Sequence, residues 1–432
     1  MAAVTDVAQL NGFYKEVFGE LVNAIPEAGD LLEEIKFKPS ELLGKEFVED
    51  VILSNEHGYT YGGSAGTAFD LIDPVAMATD DARIPPFQFV MSSAMSYAAA
   101  SRASQAARSG NKQAFASATL TVIERAMEAS AWRQHISLLY GQSPQGIGVV
   151  LATALVDVDA TSHDLVFTDA NWAPGIWAGA EGAQLNAYRP NGNLIGTNGG
   201  TDTLYSVARV NNNSRTVRIT GTAQGIIDME TFNDTENITL YFRGSKANDF
   251  PGMQVIFSNQ SSVLHGIDAA VFGLWAGNLE NVGGRLSKSK VLEYVGKLVG
   301  RGLRKEDLVL RVNPGTWAIL EQDEIALQVF DQSYSPQKAE SGVESIWYRG
   351  QNGRIEVRSD SCVKGGDAFL YATKRLRRLG SADRDMAIPG QESEPFFPLT
   401  GKAGFGWRNF TDLSLYCQTP AKCMFLNGIV NA

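Results

Sequence analysis

The sequence is poor in the residues that build disulfide frameworks and metal sites. Its 432 residues include three cysteines and four histidines. No two histidines lie at a helical i,i+3 or i,i+4 spacing, and the spacing between Cys417 and Cys423 does not fit a zinc site. An odd, sparse set of cysteines also excludes a disulfide framework. We therefore interpret Cys362, Cys417 and Cys423 as buried apolar residues of a chain that folds in a reducing compartment.

Long apolar runs and an excess of positive charge are also missing. No stretch approaches the about 20 apolar residues that cross a membrane, and the first residues lack the features of a signal peptide. The net charge is −11, from 37 Lys and Arg against 48 Asp and Glu. This charge excludes a protein whose whole surface neutralises nucleic-acid phosphates. It does not exclude a container, because counterions screen nucleic acid from an acidic wall.

Credible catalytic motifs are scarce as well. Ser64 lies in a formal G-x-S-x-G match, but no helix is predicted after it, so we predict a loop there. The stretch Asp157–Asp164 resembles the start of a calcium loop, yet Ser162 and Thr168 stand where Gly and Glu are required, which favours a solvated turn. His135 is expected to have a cationic or a hydrogen-bonding role at the C-terminal end of a helix. We predict no catalytic, cofactor-binding or metal-binding residues.

Glycine is abundant instead, with 43 residues. A glycine-rich tract around Gly62 is flanked by two strand-like runs, Lys45–Leu53 and Ile84–Met95, and this pattern predicts an extended hairpin. Such an arm buries little surface on its own subunit. We therefore expect it to pack against a neighbouring molecule.

The clearest helix is predicted over residues 111–140, which contain neither Gly nor Pro. Asn111 can cap it, and Gly141 and Pro144 end it. At about 1.5 Å per residue it would be about 45 Å long, enough to cross a whole domain. We interpret it as a structural spine.

The remaining segments are shorter. Apolar residues from Phe13 to Ile25 recur at helical spacing near the N-terminus. Further patterns predict a β-rich region at 146–260 with a strand at Val149–Val158, and helices at 287–300 and 316–323. They also predict strands at 307–312, 343–379 and 405–432, with a compact hairpin turn at Gln351–Gly353. The basic run of Lys374, Arg375, Arg377 and Arg378 is interpreted as a surface edge that could contact a neighbouring subunit or DNA.

Several local stretches, taken in order, resemble the major capsid proteins of tailed bacteriophages with the Hong Kong 97-type fold. The stretches that carry the resemblance are His135–Gly141, Trp172–Trp177 with Gly182, Gly342–Tyr348, Gly353–Val357, Ala368–Leu370 and Cys417–Ile429. Each is weak alone, and their common order carries the argument. The resemblance implies an α+β fold with an N-terminal arm (1–44), an extended loop (45–97), a spine helix (98–150), a β-rich peripheral or insertion region (151–260), an axial domain with connecting strands (261–380) and C-terminal strands (381–432).

The resemblance also implies a structural function without enzymatic activity. Such a protein assembles into hexamers and pentamers of an icosahedral head, in the host cytoplasm, and encloses double-stranded DNA in the virion. Implied partners are other copies of the chain, a separate scaffolding protein, a portal, weakly held DNA and a possible decoration protein. Tyr59, Tyr61 and Phe69 at the loop tip become candidate intersubunit contacts. We predict no covalent crosslink at Lys45.

Three other functions stay open. A cellular nanocompartment shell of the encapsulin type has the same fold and would hold an enzyme in place of DNA. A hydrolase would use Ser64 as its nucleophile. A carbohydrate-binding β module would use Trp172 and Trp177, and sequons such as Asn237 fit that reading.

Overall fold

The computed structural model describes residues 30–40, 45–64, 66, 68–97, 112–196, 204–328, 346–385 and 396–431, without the side chains of 112–124, 323–328 and 396. The helix predicted between Phe13 and Ile25 lies outside the described residues. So does the proposed cap, Asn111.

The N-terminal part forms a hairpin and a long strand. Its elements are α1 (Leu31–Glu34), β1 (Phe37–Pro39), β2 (Phe47–Ile52), β3 (Thr79–Ile84) and β4 (Phe87–Ser96). Strands β2 and β3 pair antiparallel from Phe47↔Ile84 to Ile52↔Thr79, which confirms a hairpin. Its second strand is β3, however, and not the predicted run Ile84–Met95. Pro85 and Pro86 interrupt that run, since proline cannot donate a backbone hydrogen bond. The residues after them form β4, which pairs with residues 404–413.

Helix α2 spans Lys112–Tyr140, 29 residues, and confirms the predicted spine. It is about 44 Å long. The helix ends at Gly141, whose amide donates to the Ser137 carbonyl at 2.7 Å. A side chain at Gly141 would collide with the Phe250 carbonyl, so glycine allows this helix end to pack closely.

The middle of the chain folds around an antiparallel sheet. Its strands are β5 (Gly148–Val150), β6 (Leu155–Asp159), β7 (Ser162–Val166), β8 (Gln184–Tyr188), β9 (Tyr205–Asn211), β10 (Thr216–Thr220) and β11 (Ile238–Phe242), in the order β5-β11-β8-β9-β10-β7-β6. The predicted β-rich region is thereby confirmed. The single strand expected at Val149–Val158 is two strands, β5 and β6, at opposite edges of the sheet.

Short helices and a small hairpin complete this region. They are α3 (Pro174–Trp177), α4 (Ala223–Asn233), α5 (Ser245–Asn248), α6 (Met253–Ser258), β12 (Val263–Leu264) and β13 (Ile267–Asp268). The sequence did not predict α4. Its N-cap is Thr222, whose hydroxyl accepts from the amide of Gly225 at 3.2 Å.

The C-terminal part supplies two further sheets. Its elements are β14 (Asn278–Gly284), α7 (Lys288–Gly300), β15 (Leu308–Val312), α8 (Pro314–Gln328), β16 (Ile346–Gly350), β17 (Gly353–Ser359), β18 (Ala368–Tyr371), β19 (Leu376–Asp385), β20 (Phe396–Pro398), β21 (Gly404–Cys417) and β22 (Met424–Ile429). A mixed sheet has the order β14-β22-β18-β15-β17-β16, and a long-strand sheet has the order β1-β19-β21-β20 with β4 also on β21. The predicted helices and strands of this part are confirmed, as is the turn before Gly353.

Two hydrophobic cores hold these layers together. The larger contains the end of α2, the antiparallel sheet, α6 and the inner face of the long-strand sheet. The smaller lies between α7 and the mixed sheet. Among the described residues, no helix is long and apolar enough to cross a membrane. The observed mixture of helices and sheets confirms the predicted α+β class, and the predicted domain boundaries stay predictions.

Candidate assembly surface

The β2–β3 hairpin is fixed to the body at its base. Phe47, Ala82 and Ile84 are fully buried in the larger core. Between them, the amide of Arg83 donates to the carbonyl of His265 at 2.8 Å, which joins β3 to the β12–β13 hairpin. Burial of these side chains gives the arm a rigid attachment.

We call the outer part of the hairpin, from Ile52 at the end of β2 to Ala78, the tip; Ala65 and Thr67 within it lie outside the described residues. His57 and Val75 exchange two backbone hydrogen bonds of 2.8 and 2.6 Å. Further out, the Thr60 hydroxyl accepts from the amide of Ile72 at 3.0 Å. These local bonds keep the two sides of the tip together.

The tip exposes many large apolar side chains. Tyr61 is 92% exposed, and Tyr59 and Leu71 are each 79% exposed. More than half of each remaining side chain is also exposed, namely Ile52, Phe69, Ile72, Val75 and Met77. We call these eight residues the tip surface. Apolar side chains clustered on a monomer's surface mark an interaction site, because water contact with them is unfavourable.

The three contact residues predicted for the tip are all exposed. Tyr59, Tyr61 and Phe69 all belong to the tip surface, and their contact with a neighbour stays a prediction. The sequence interpretation missed Leu71 and its neighbours toward Met77. Their only signal was a group of apolar residues in a tract without helical or strand periodicity.

A second feature is a buried cluster of charges that holds residues 30–34 against the mixed sheet. Arg311 on β15 is fully buried and donates to Asp30 at 3.0 Å, to Asp360 at 2.8 Å and to Glu34. Arg358 on β17 adds a bond of 2.8 Å to Asp30. We call these five residues the Arg311 clamp. It fixes the point at which the N-terminal segment leaves the body.

The clamp also reaches the spine helix. His135 is fully buried, and its Nε2 lies 2.8 Å from Asp360 Oδ2. The predicted hydrogen bond of His135 is confirmed, with a carboxylate as the partner. Burial acts to raise the pKa of Asp360, but His135 and Arg311 outweigh it and hold that pKa well below its usual range. Asp360 therefore stays ionised and links helix α2 to the mixed sheet.

The same place contains the one group of described side chains with the composition of a metal site. His135, Asp360 and Cys362 offer ligand atoms within 4.8 Å of one another. A guanidinium nitrogen of Arg311 lies 2.8 Å from the Asp360 carboxylate. This fixed positive charge opposes a bound cation, so the geometry favours an ion-pair network over a metal centre.

The four residues of the basic run do not form one edge. Arg378 is only 4% exposed, and its guanidinium donates to the carbonyls of Leu32 and Ile35 at 3.1 and 2.7 Å. These carbonyls belong to the end of α1, where helices leave acceptors unpaired. The surface position predicted for Arg378 is therefore wrong. Arg375 pairs with Glu306, whereas Lys374 is exposed and Arg377 is half-buried.

The other motifs lack the geometry of a reaction centre. Ser64 lies in the tip, and the described residues that follow it up to Val75 contain no helix, which a nucleophile elbow requires. The Asp157–Asp164 stretch covers the end of β6, a turn at residues 160–161 and the start of β7. The predicted solvated turn is therefore confirmed only at 160–161, since Ser162 and His163 are buried in β7. There, hydrogen bonds from Ser162 and Thr161 lower the pKa of Asp159 to about 2.

The two tryptophans proposed for carbohydrate binding are internal. Trp177 is fully buried, Trp172 is 5% exposed, and their stacked rings have centroids 6.3 Å apart. Phe167 packs against both. A sugar platform needs an accessible ring face, so the structure contradicts the tryptophan-based module.

Comparison with known proteins was made at the level of sequence and of structure. No protein-family model and no curated protein sequence matches the chain. In contrast, the capsid asymmetric unit of cyanophage A-1(L) aligns with 97% of this chain and 99% of its own, with a TM-score of 0.52 at 9% identity. The fold is that of a phage capsid protein. The predicted capsid fold is thus confirmed over nearly the full length.

Two other solved structures illustrate the range of the matches to this capsid fold. The mature capsid of bacteriophage PhiM1 covers 96% of this chain and 92% of its own, with a TM-score of 0.43 at 7% identity. The encapsulin complex of Synechococcus elongatus covers 42% of this chain and 60% of its own, with a TM-score of 0.26 at 11% identity.

Proposed function

We propose that this chain is the major capsid protein of a tailed-bacteriophage head. Copies of it assemble into hexamers and pentamers, which form an icosahedral shell around double-stranded DNA in the virion. The observation that carries the proposal is the tip surface, a set of exposed apolar side chains on a hairpin whose base is fixed in the core.

The mechanism of assembly follows from this arm. Each hairpin places its tip surface on an adjacent subunit, so that every subunit both gives and receives one arm around a closed ring. Burial of the apolar side chains supplies a favourable free energy of about 25 cal/mol per Å². The rigid base limits the entropy lost on docking, because only the tip has to adapt.

The proposed role is structural and requires no catalysis. The partners that fit it are further copies of the chain, a separate scaffolding protein, a portal and a possible decoration protein. Assembly takes place in the host cytoplasm. The net charge of −11 supports a wall that holds DNA weakly, with counterions between wall and phosphate.

The proposal is tested by expressing the chain alone and with the phage's own scaffolding protein, followed by electron microscopy and sedimentation of the purified material. Capsomer rings or closed shells are the expected products. A chain that stays monomeric under both conditions, up to high concentration, contradicts the proposal. Closed particles isolated from the phage should contain DNA. Particles that instead enclose a single enzyme would establish the nanocompartment alternative.

A further inference from the structure

Two of the three cysteines lie against each other inside the protein. The Sγ atoms of Cys417 and Cys423 are 3.8 Å apart, and the two residues are 1% and 0% exposed. Cys362 is also buried, next to Asp360. All three are free thiols in the structure.

The pair occupies a junction between two sheets. Cys417 is the last residue of β21 in the long-strand sheet, and Cys423 directly precedes β22 in the mixed sheet. The short turn between them is pinned from outside, because the Asn278 side chain donates to the carbonyls of Ala421 and Cys423 at 2.8 and 2.7 Å. A covalent bond between the two sulfurs would therefore join the sheets at a point where the backbone is already fixed.

We propose that Cys417 and Cys423 are a redox-sensitive pair that forms a reversible disulfide when the folded protein meets a peroxide. In the first step the thiolate of one cysteine attacks a peroxide oxygen, which gives a sulfenic acid and hydroxide. In the second step the sulfur of the other cysteine attacks the sulfenic sulfur. The S–S bond forms, the S–O bond breaks and water leaves. The balance is two thiols and one hydrogen peroxide to one disulfide and two waters.

The surroundings of the cysteines slow the reaction under reducing conditions and restrict it to Cys417 and Cys423. The hydrogen bond with Cys417 and burial both raise the pKa of Cys423 well above its usual value, so little thiolate exists at neutral pH. Burial and the charge of Asp360 likewise raise the pKa of Cys362. Cys362 has no second thiol beside it and cannot complete the second step. The pair thus stays reduced in a reducing compartment and closes under sustained oxidation.

The test compares the wild-type chain with Cys423→Ala and the matched control Cys362→Ala. Each folded protein is treated with hydrogen peroxide in mildly alkaline buffer, freed of peroxide with catalase, unfolded in guanidinium with iodoacetamide, digested and measured by mass spectrometry. The wild type and Cys362→Ala should each lose two alkylatable thiols and yield one intrachain linkage between residues 417 and 423. Dithiothreitol should restore both thiols. Cys423→Ala should yield no intrachain linkage.

Three results would overturn the proposal. The first is full alkylation of all three thiols in the wild type after prolonged peroxide treatment. The second is a linkage that involves Cys362 or joins two chains. The third is a 417–423 linkage that forms only when peroxide and denaturant are present together. The measurement on the wild type can be interpreted even if a variant fails to fold. It also does not depend on the proposed function, because the thiols can be measured on an unassembled subunit.

Discussion

Replacing Leu71 and Ile72 together by serine should weaken assembly without unfolding the subunit. The two side chains are 79% and 56% exposed, so they contribute little to the stability of the monomer. Full burial of a Leu or Ile side chain is worth about 1.5–3 kcal/mol. Scaled by the exposed fractions, docking of the two side chains contributes about 2–4 kcal/mol per arm, and losing about 3 kcal/mol weakens each contact about a hundredfold.

A matched control separates the tip surface from exposed apolar side chains in general. Leu274 and Ile227 lie outside the tip and are 53% and 51% exposed. Circular dichroism should show that both double serine variants fold, and light scattering against protein concentration should give their assembly thresholds. The Leu71/Ile72 variant should need about a hundredfold more protein, whereas the Leu274/Ile227 variant should stay near the wild type. Equal thresholds for the tip variant and the wild type would refute the reasoning.

Three further predictions concern the stability of the subunit. Arg311→Met should lower the free energy of unfolding by about 3–5 kcal/mol, because the buried carboxylates of Glu34 and Asp360 lose their fully buried cationic partner. Arg125→Met removes an exposed pair and should cost under about 1 kcal/mol in the same denaturant titration. Burial raises the pKa of Asp249 from 3.8 to about 7, so the folded state binds this proton more tightly than the unfolded state, and the stability that this gives is lost as the pH rises from about 4 to 7. Chemical unfolding should show that the wild type loses on the order of 4 kcal/mol more between these two pH values than Asp249→Asn does. An equal pH dependence of the two proteins would contradict the assignment. Gly141→Ala should lower the melting temperature because its Cβ would lie 2.6 Å from the Ser137 carbonyl, whereas Gly296→Ala, in a helix position with open space, should raise it slightly; equal shifts would contradict the close-packing argument.

The sequence predicts elements that depend on local pattern. The helix over 111–140 follows from an uninterrupted run without Gly or Pro. The hairpin was predicted only in part: its first strand and its glycine-rich tract were expected, whereas its second strand, β3, precedes the predicted run Ile84–Met95. Helix α4 was missed because Gly225 and the adjacent Ile226 and Ile227 have poor helix propensity, which its cap at Thr222 and its packing overcome.

Features that depend on distant partners were beyond local pattern. Strand β4 pairs with residues 404–413, and the periodicity of a strand does not identify the strand with which it pairs. In the sequence, Arg378 is one more cation of a basic run. It is buried in the fold because α1 lies beside β19 and its last carbonyls accept hydrogen bonds from the guanidinium. One sign of the Arg311 clamp is present in the sequence, which is the single charged residue, Arg311, inside the apolar strand β15. Its partners are supplied by the residues before β1 and after β17, so the function of that charge could not be predicted.

The antiparallel sheet enters and leaves the rest of the chain at one place. Its first strand, β5, pairs directly with its last strand, β11, through Val150↔Ile238. Because the two connections lie side by side, the turns at the far side of the sheet can change length while the flanking segments keep their positions. The inner face of the sheet cannot change as freely, since it shares the larger core with α2 and α6. We therefore expect an insertion in the turn between β9 and β10 to cost the fold little, since Asn211 to Ser214 of this turn lie at the surface, far from the β5–β11 edge.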